Sequence, residues 1–472
     1  MHSFPHLLPA ALSAFAITAS TICAQAPICY DFGEVDRALT RLVQRPAISG
    51  ISLKLVKSDR TLYRKSFGTY TGDEVVPLAS ASKWIAGMLV LSQVDDGKIT
   101  LDDTLAKWFG PNLPGNMGKA TIRQCMSHTA GFDGKHDAVD DRTLTLKVAV
   151  ERILATPAPY DPGTTFYYGG VSMHVVGRIL ELASGKDLEV LLKERLLQPM
   201  GITSIDFQGL GPTKNYRIAG GMRSTQDDYA KLLVMLAHGG MYGTTRILSE
   251  AAIREMFLDQ TNGATIVHTP HPDTRRYGIG IWRDRIDARG GILQASSQGA
   301  FGFSPWIDFE RDLASVLTVV NLVKLIYDDV DAIQVTTRST VDYAGVLCVG
   351  RGTTSCLGTV STSANTAAAS GASLFAVQST NAPPNTAGAL VLSATGLDNG
   401  VPFLGGELWV GLIPAILVTA VTDGTGSATI PLPLTTTPIG THVFAQFAWL
   451  ETKACGALGQ LDTSPALEIR VR

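Results

Sequence analysis

Charge is scarce in this 472-residue chain, at 17% Asp, Glu, Lys and Arg, and no basic run recurs. With a net charge of -3 it lacks the electrostatic footprint that a nucleic-acid partner requires. Long apolar runs are scarce too. Beyond the N-terminus nothing reaches membrane-spanning length, and the run from Leu412 to Val421 is short enough to read as a buried strand. G-x-S-x-G is absent, which excludes the nucleophile elbow of the α/β-hydrolases. Six cysteines are few for the length, and their spacing is not that of a zinc site. His268 and His271 form a loop pair without a third ligand nearby, so no metal and no cofactor is called for.

What is present begins with an export signal. From Met1 to about Ala26 an apolar stretch, Leu7 to Thr18, leads to the small residues Ala24-Gln25-Ala26, with only His2 and His6 in its n-region. Cys23 leaves with this segment. Cys29, Cys125, Cys348, Cys356 and Cys455 remain in an exported chain that permits disulfides, and their odd number leaves at least one free or intermolecular. Cys348 and Cys356 are close enough to close a small loop, with Cys455 competing for either.

The length exceeds a usual single core, and the composition changes after about Val341. Residues 345–472 hold one lysine, Lys453, among Ser, Thr, Ala, Gly and Pro broken by short apolar stretches and turns such as Asp398-Asn399-Gly400 and Asp423-Gly424. The expected organisation is a signal peptide at 1–26, a first domain at 27–343 and an all-β, sandwich-like domain at 344–472 without catalytic residues. Cell-surface attachment is the role expected of that last domain. In the first domain, strands are expected at Gly50 to Val56, Thr61 to Gly68, Tyr277 to Arg283, Gly291 to Ala295, Phe301 to Asp308 and Ala314 to Asn321. Helices at Leu144 to Leu154, Val171 to Ala183, Leu188 to Leu197 and Asp227 to His238 fall between them. Strands at both ends with helices inserted imply an α+β fold with one antiparallel sheet completed by distant segments, and a site between sheet and inserted helices.

The stretch Leu78-Ala79-Ser80-Ala81-Ser82-Lys83 opens a helix whose apolar Ile85, Met88, Leu89 and Val94 recur at helical period. Lys83, one turn beyond Ser80, reaches back to its hydroxyl. An alcohol needs a base to act as a nucleophile, and burial favours the uncharged amine that can serve. Two later stretches complete the candidate site. Tyr168, in Tyr160-Asp161-Pro162-Gly163 through Tyr168-Gly169-Gly170, can relay a proton to a leaving group if Lys83 lowers its pKa. In Ser297-Gln298-Gly299-Ala300 a glycine lets substrate approach the strand, and the Ala300 amide can join the Ser80 amide at an oxyanion. His128, within Ser127-His128-Thr129-Ala130-Gly131, more plausibly orders a loop than completes a triad. His238-Gly239-Gly240 ends a helix and is a decoy.

These stretches, together with Leu101-Asp102-Asp103, Ala219-Gly220-Gly221-Met222 and Trp306-Ile307-Asp308, occur in an order that resembles the serine β-lactamase and penicillin-binding protein superfamily, closest to its class C-like esterase and D-aminopeptidase branch. The resemblance covers about residues 30–340. It implies Ser80 as nucleophile, Lys83 as base, Tyr168 as proton relay and Ala300 as oxyanion donor, with Ser297, Gly299 and Gly170 at the substrate. Two departures stand out. Gly170 occupies the place of the family's second-motif asparagine, and Ser297 that of its third-motif Lys or His; Arg275 or Arg276 is the available replacement cation. The expectation is an exported serine hydrolase working through an acyl-enzyme on small carboxylic esters. A β-lactamase or D-aminopeptidase acting on amides is one alternative, and a catalytically silent surface or binding homologue is another.

Overall fold

Gly50–Lys57 and Leu313–Val319 are apolar along most of their length because the sheet they form is covered on both faces. The computed structural model describes residues 29–30, 32–57, 60–271, 276–343, 346–365, 368–451 and 460–471. The expected signal peptide, Cys23, Arg275, Lys453 and Cys455 lie outside them. The chain divides into two compact units, Phe32–Ala344 and a second made of Gly345–Arg472 with the N-terminal residues up to Asp31.

The first unit is built on a seven-stranded antiparallel sheet. Its spatial order is Arg276–Tyr277, Trp282–Ile286, Ile292–Ser296, Ser304–Asp308, Leu313–Val319, Gly50–Lys57 and Arg60–Gly68. Chain-distant segments do complete it: Leu313 pairs with Lys57 and Val319 with Ile51. Along Leu313–Val319 the faces alternate as a pleat demands. Leu313, Leu317 and Val319 enter a core shared with the helices Gly33–Val43 and Tyr327–Tyr343, through residues such as Leu39 and Ile333. Ala314 and Val316 enter the larger core on the opposite face, with Trp84, Leu232 and Leu233. The inserted helices include Leu146–Leu154, Val171–Ser184, Leu188–Leu192, which runs on into a π-helical turn, and Gln226–Ala237.

Ser82–Asp95 is the central helix. Its sequence suggests one buried face, but every residue from Ser82 to Gln93 is buried. A helix enclosed all round has no solvent stripe, and each large apolar side chain it buries stabilises the fold by roughly 1.5–3 kcal/mol. Part of the enclosure comes from a segment whose sequence reads as strand. Tyr277 to Arg283 is interrupted: Gly278-Ile279-Gly280-Ile281 leaves the sheet as a loop, with the Gly278 amide donating to the Ile281 carbonyl and the Ile279 amide to that of Met256. The alternating apolar residues are buried against the helix, so their period of two reports tertiary packing. Gly280 has φ +78°, and a Cβ there would sit 2.3 Å from the Lys83 carbonyl oxygen.

In the second unit, Val346–Val349, Leu461–Arg470, His442–Leu450, Ala387–Ser393 and Ala415–Val421 form an antiparallel sheet with Cys29–Tyr30 at one edge. That two-residue strand, expected in the first domain, pairs with Val346–Val349 and sets Cys29 opposite Cys348. A three-stranded sheet of Ser361–Ala364, Ala376–Thr380 and Ala428–Pro431 shares its apolar core through Val377, Leu390, Phe447 and Trp449. Two expectations need correction. The Leu412 to Val421 run contains a strand, but it is an edge strand with Ile416, Leu417 and Val421 exposed. Asp398-Asn399-Gly400 lies inside the strand Gly396–Phe403, at an irregularity in its pairing, and Leu404-Gly405, both at positive φ, turn the hairpin. Cys125 is buried and free, and Cys356 is disulfide-bonded. Among the described residues no helix is long and apolar enough to cross a membrane.

Gly87 on the central helix allows the Ile279 loop to approach, since a Cβ there would lie 2.4 Å from the Ile279 carbonyl oxygen. Gly87→Ala is therefore expected to destabilise the first unit by about 1–3 kcal/mol through overpacking, despite alanine's better helix propensity. Urea unfolding measures this, and an unchanged or raised midpoint would show that the loop yields freely.

Candidate active site

Ser80 lies in a short 3-10 turn, Ala79–Ala81, that leads into the Ser82–Asp95 helix. Ala79 has φ +46°, a left-handed conformation costly for a residue with a side chain and held here by its surroundings. Around it, the Leu78 amide donates to the Met222 carbonyl, the Met222 amide to Ser82 Oγ, and the Tyr229 hydroxyl to the Ala81 carbonyl. The turn thus presents a partly exposed Ser80 above a buried Lys83.

Lys83 is 3% exposed. Its Nζ lies 3.0 Å from Ser80 Oγ and donates to the Ala219 carbonyl at 3.0 Å. Among the described residues no carboxylate pairs with it. Burial, and then the nearby positive charge of Arg217, lower its pKa to about 7, so a large fraction of the amine is uncharged near neutral pH.

Tyr168 follows the strand Thr165–Tyr167, which pairs in parallel with Thr265–His268. Its ring lies 4.7 Å from Lys83 Nζ and stacks on Trp282 at 5.2 Å between centroids. Sequence reasoning asked Lys83 to lower the phenol's pKa; the opposite holds. Burial raises it, and hydrogen bonding with the Ser80 and Trp282 side chains offsets only part of the rise. Tyr168 is a neutral phenol at any ordinary pH. His128 packs against it at 4.6 Å, has φ +62°, accepts the Tyr167 amide on its carbonyl and the Gly169 amide on Nδ1. Burial first, then Lys83, drives its pKa well down, so it is a neutral ring that fixes the Tyr168 loop.

Ser80, Lys83 and Tyr168 share a cavity of about 210 Å³ with Ala300, Gly170 and Arg217. Ala300 sits exposed in the connection between Ile292–Ser296 and Ser304–Asp308, and among the described residues no backbone carbonyl accepts its N–H. Ser297 and Gly299, expected at the substrate, lie behind the nucleophile instead. Ser297 is buried and its hydroxyl donates to the Ser80 carbonyl at 3.1 Å. A Cβ on Gly299 would meet the Leu78 carbonyl oxygen at 2.1 Å, so glycine there serves the contact between strand and turn. Gly170 caps the Val171–Ser184 helix and leaves its side of the cavity open. His238 closes the Gln226–Ala237 helix away from the cavity. Among the described residues no three His, Cys, Asp or Glu side chains are grouped to hold a metal ion.

The residue that sequence reasoning missed is Arg217. Arg276, a proposed replacement cation, stands near Asp259 on an edge strand at 3.8 Å, and it is Arg217 that lines the cavity. The available signal was a lone arginine between Tyr216 and Ile218, two residues before the Ala219-Gly220-Gly221-Met222 stretch.

A crystal structure of a candidate β-lactamase from Bacteroides dorei superposes with a TM-score of 0.60 at 30% identity, covering 66% of this chain and 99% of that one. The D-amino acid amidase of Ochrobactrum anthropi shares the fold at 18% identity and a TM-score of 0.53, over 65% of this chain and 99% of its own. Esterase EstB of Burkholderia gladioli is 25% identical over 228 residues, 43% of this chain and 56% of EstB, so the match spans about half of that relative's length. The family model described as Beta-lactamase matches residues 35–333, more than half of the chain and the whole of the cavity just described, and on this ground the chain belongs to the β-lactamase family of serine hydrolases.

Proposed function

We propose that this hydrolase is an esterase acting on small carboxylic esters through an acyl-enzyme on Ser80. The observation that carries the reading is a depressed, buried Lys83 amine 3.0 Å from Ser80 Oγ, with no charged side chain in the Ser297–Ala300 segment. The uncharged amine takes the Ser80 proton as Oγ attacks the ester carbonyl carbon. The Ser80 and Ala300 amides face the oxyanion that forms. Collapse breaks the bond to the alkoxy group, which leaves as the alcohol after accepting the Tyr168 hydroxyl proton, while Tyr168 recovers one from the Lys83 ammonium. Water then attacks the acyl-enzyme, with Lys83 again as base, and releases the acid. A neutral phenol suits this exchange because it gives and takes one proton without ever standing as a phenolate.

Ester preference over β-lactams is supported by what faces the substrate. Ser297 is committed to the Ser80 carbonyl and Gly170 has no side chain, so neither of these two positions puts a cation or an amide side chain into the cavity; the cation that does line it, Arg217, comes from a different segment, two residues before Ala219. An alkoxide also departs more readily than an amine. The esterase among the relatives favours the same reading. Export, and surface attachment through residues 344–472, belong to the proposal on the N-terminal sequence and on composition alone.

The mechanism predicts a matched set of kinetics. Ser80→Ala and Lys83→Ala each abolish nearly all hydrolysis, since nucleophile and base act as one unit. Tyr168→Phe lowers kcat by about 10²- to 10⁴-fold, the range for a positioned proton donor. The wild-type log(kcat/KM) rises with unit slope as pH increases towards about 7, where Lys83 loses its proton, and is flat above. A Lys83→Ala variant with most of the wild-type rate, or an acid limb centred near 4, removes Lys83 as the base.

Substrate class has its own test. kcat/KM for p-nitrophenyl butyrate is expected to exceed that for nitrocefin, with both lost in Ser80→Ala. The reverse order makes the chain a β-lactamase.

A further inference from the structure

Arg217 is held rather than free to wander. Tyr216 and Ile218 on either side of it are buried, and the Gly220 and Gly221 amides both donate to its carbonyl. Two residues earlier the buried Asn215 donates to the Ala138 and Asp141 carbonyls and meets His174 Nε2 at 2.8 Å. The guanidinium reaches the cavity from this fixed turn. Its Nη1 pairs with Asp140 at 2.6 Å, a carboxylate whose side chain is 65% exposed, and a guanidinium has further N–H groups to offer. A single exposed partner is a weak competitor for a ligand anion.

The cavity gives that cation a direction. Of the groups on a reacting ester carbonyl carbon, the oxygen faces the Ser80 and Ala300 amides and the leaving oxygen faces Tyr168. Leu210 and Phe301 also line the cavity, and the side of it with most room for an acyl chain is that of Gly170, Ala219 and Gly220, where no side chain exceeds a methyl group. That side ends at Arg217: a Cβ built on Gly220 would lie 3.7 Å from Arg217 Nε and 3.7 Å from the Ala79 carbonyl. So Gly220 has Arg217 Nε on one hand and the Ala79 carbonyl of the nucleophile turn on the other, and the cation and Ser80 line one cavity.

We propose that Arg217 forms an anion subsite for the acyl group, and that the preferred esters are half-esters of short dicarboxylic acids, with the free carboxylate on the guanidinium. The inference rests on the ester-hydrolase reading above and names its substrate class. Arginine suits the role, since its planar fork accommodates a carboxylate through two parallel N–H donors.

Monoethyl glutarate and ethyl pentanoate, compared by acid release at pH 8, test it. The two acyl chains are of similar length and differ in the terminal carboxylate. In the wild type kcat/KM for monoethyl glutarate is expected to exceed that for ethyl pentanoate by about 10- to 100-fold, the factor of one charge-assisted contact. Arg217→Gln should bring the ratio to one or below, and Arg217→Lys should keep part of it. Arg217 also acts on Lys83, and the change that its replacement makes to the base of the free enzyme is common to both substrates, so the ratio, unlike either rate, is free of that common part. Competitive inhibition of the wild type by glutarate more strongly than by pentanoate supports the subsite without any variant. Hydrolysis of ethyl pentanoate with a ratio at or below one overturns the subsite and leaves the esterase standing. Hydrolysis of neither ester, with nitrocefin turned over, removes both.

Discussion

An amine buried without a counter-ion is the constraint on which this site depends. Lys83 cannot hold its charge there cheaply, and the fold makes no effort to let it: the central helix is enclosed on every side, and Arg217 adds repulsion in place of a carboxylate. The Ala219 carbonyl accepts one N–H, and an uncharged amine then keeps a lone pair for the Ser80 hydroxyl. Burial comes from packing rather than from any one contact. The Gly280 loop rests on the Lys83 carbonyl and the Ile279 carbonyl rests on Gly87, so the backbone itself seals the helix where larger residues would push it open. The same seal explains why glycine is needed at these two positions when neither touches substrate.

Around the amine, neutrality extends to every group that could compete with it. His128 and Tyr168 are both desolvated, and desolvation moves a histidine down and a phenol up, so both stay uncharged when Lys83 alone changes state. Their rings then serve by shape. His128 fixes the Tyr167 and Gly169 amides on either side of Tyr168, Trp282 stacks on its face, and Tyr277 packs on His128 at 4.8 Å. An aromatic shell of this kind sets the hydroxyl's position to within the tolerance that proton transfer demands.

What the sequence makes legible is what is local or periodic. Ser80 and Lys83 are one helical turn apart, so their contact follows from chain geometry, and the strand ends at 50–68 and 292–319 announce themselves by apolar runs bounded by turns. The stretch at Gly278 to Ile281 deceives because alternating glycine and isoleucine is good strand composition, while its backbone hydrogen bonds go to Met256 and Met126 across the fold. Asp398-Asn399-Gly400 deceives for the converse reason, good turn chemistry absorbed into a strand as an irregularity. Ser297 was given a substrate role from its place in a motif; its hydroxyl finds the Ser80 carbonyl first, and burial leaves it nothing else to do. Arg217 was invisible because a single exposed-looking arginine carries no pattern, and only the fold around the turn at Asn215 brings it to the cavity of Ser80.

Two cations in one cavity couple recognition to chemistry. The field of Arg217 is one of the two causes that hold Lys83 low, after burial. An anion seated on Arg217 cancels part of that field, so the amine beneath it becomes a stronger base, yet a smaller fraction of it is uncharged at a given pH. Near pH 7 the two effects oppose each other, since a better base with fewer unprotonated copies transfers protons at a similar overall rate. Above the raised pKa the amine is uncharged with or without the anion, and only the gain in basicity survives. A site built this way therefore favours an anionic substrate most on the alkaline side of neutrality, where Arg217 still holds the carboxylate and Lys83 has already given up its proton.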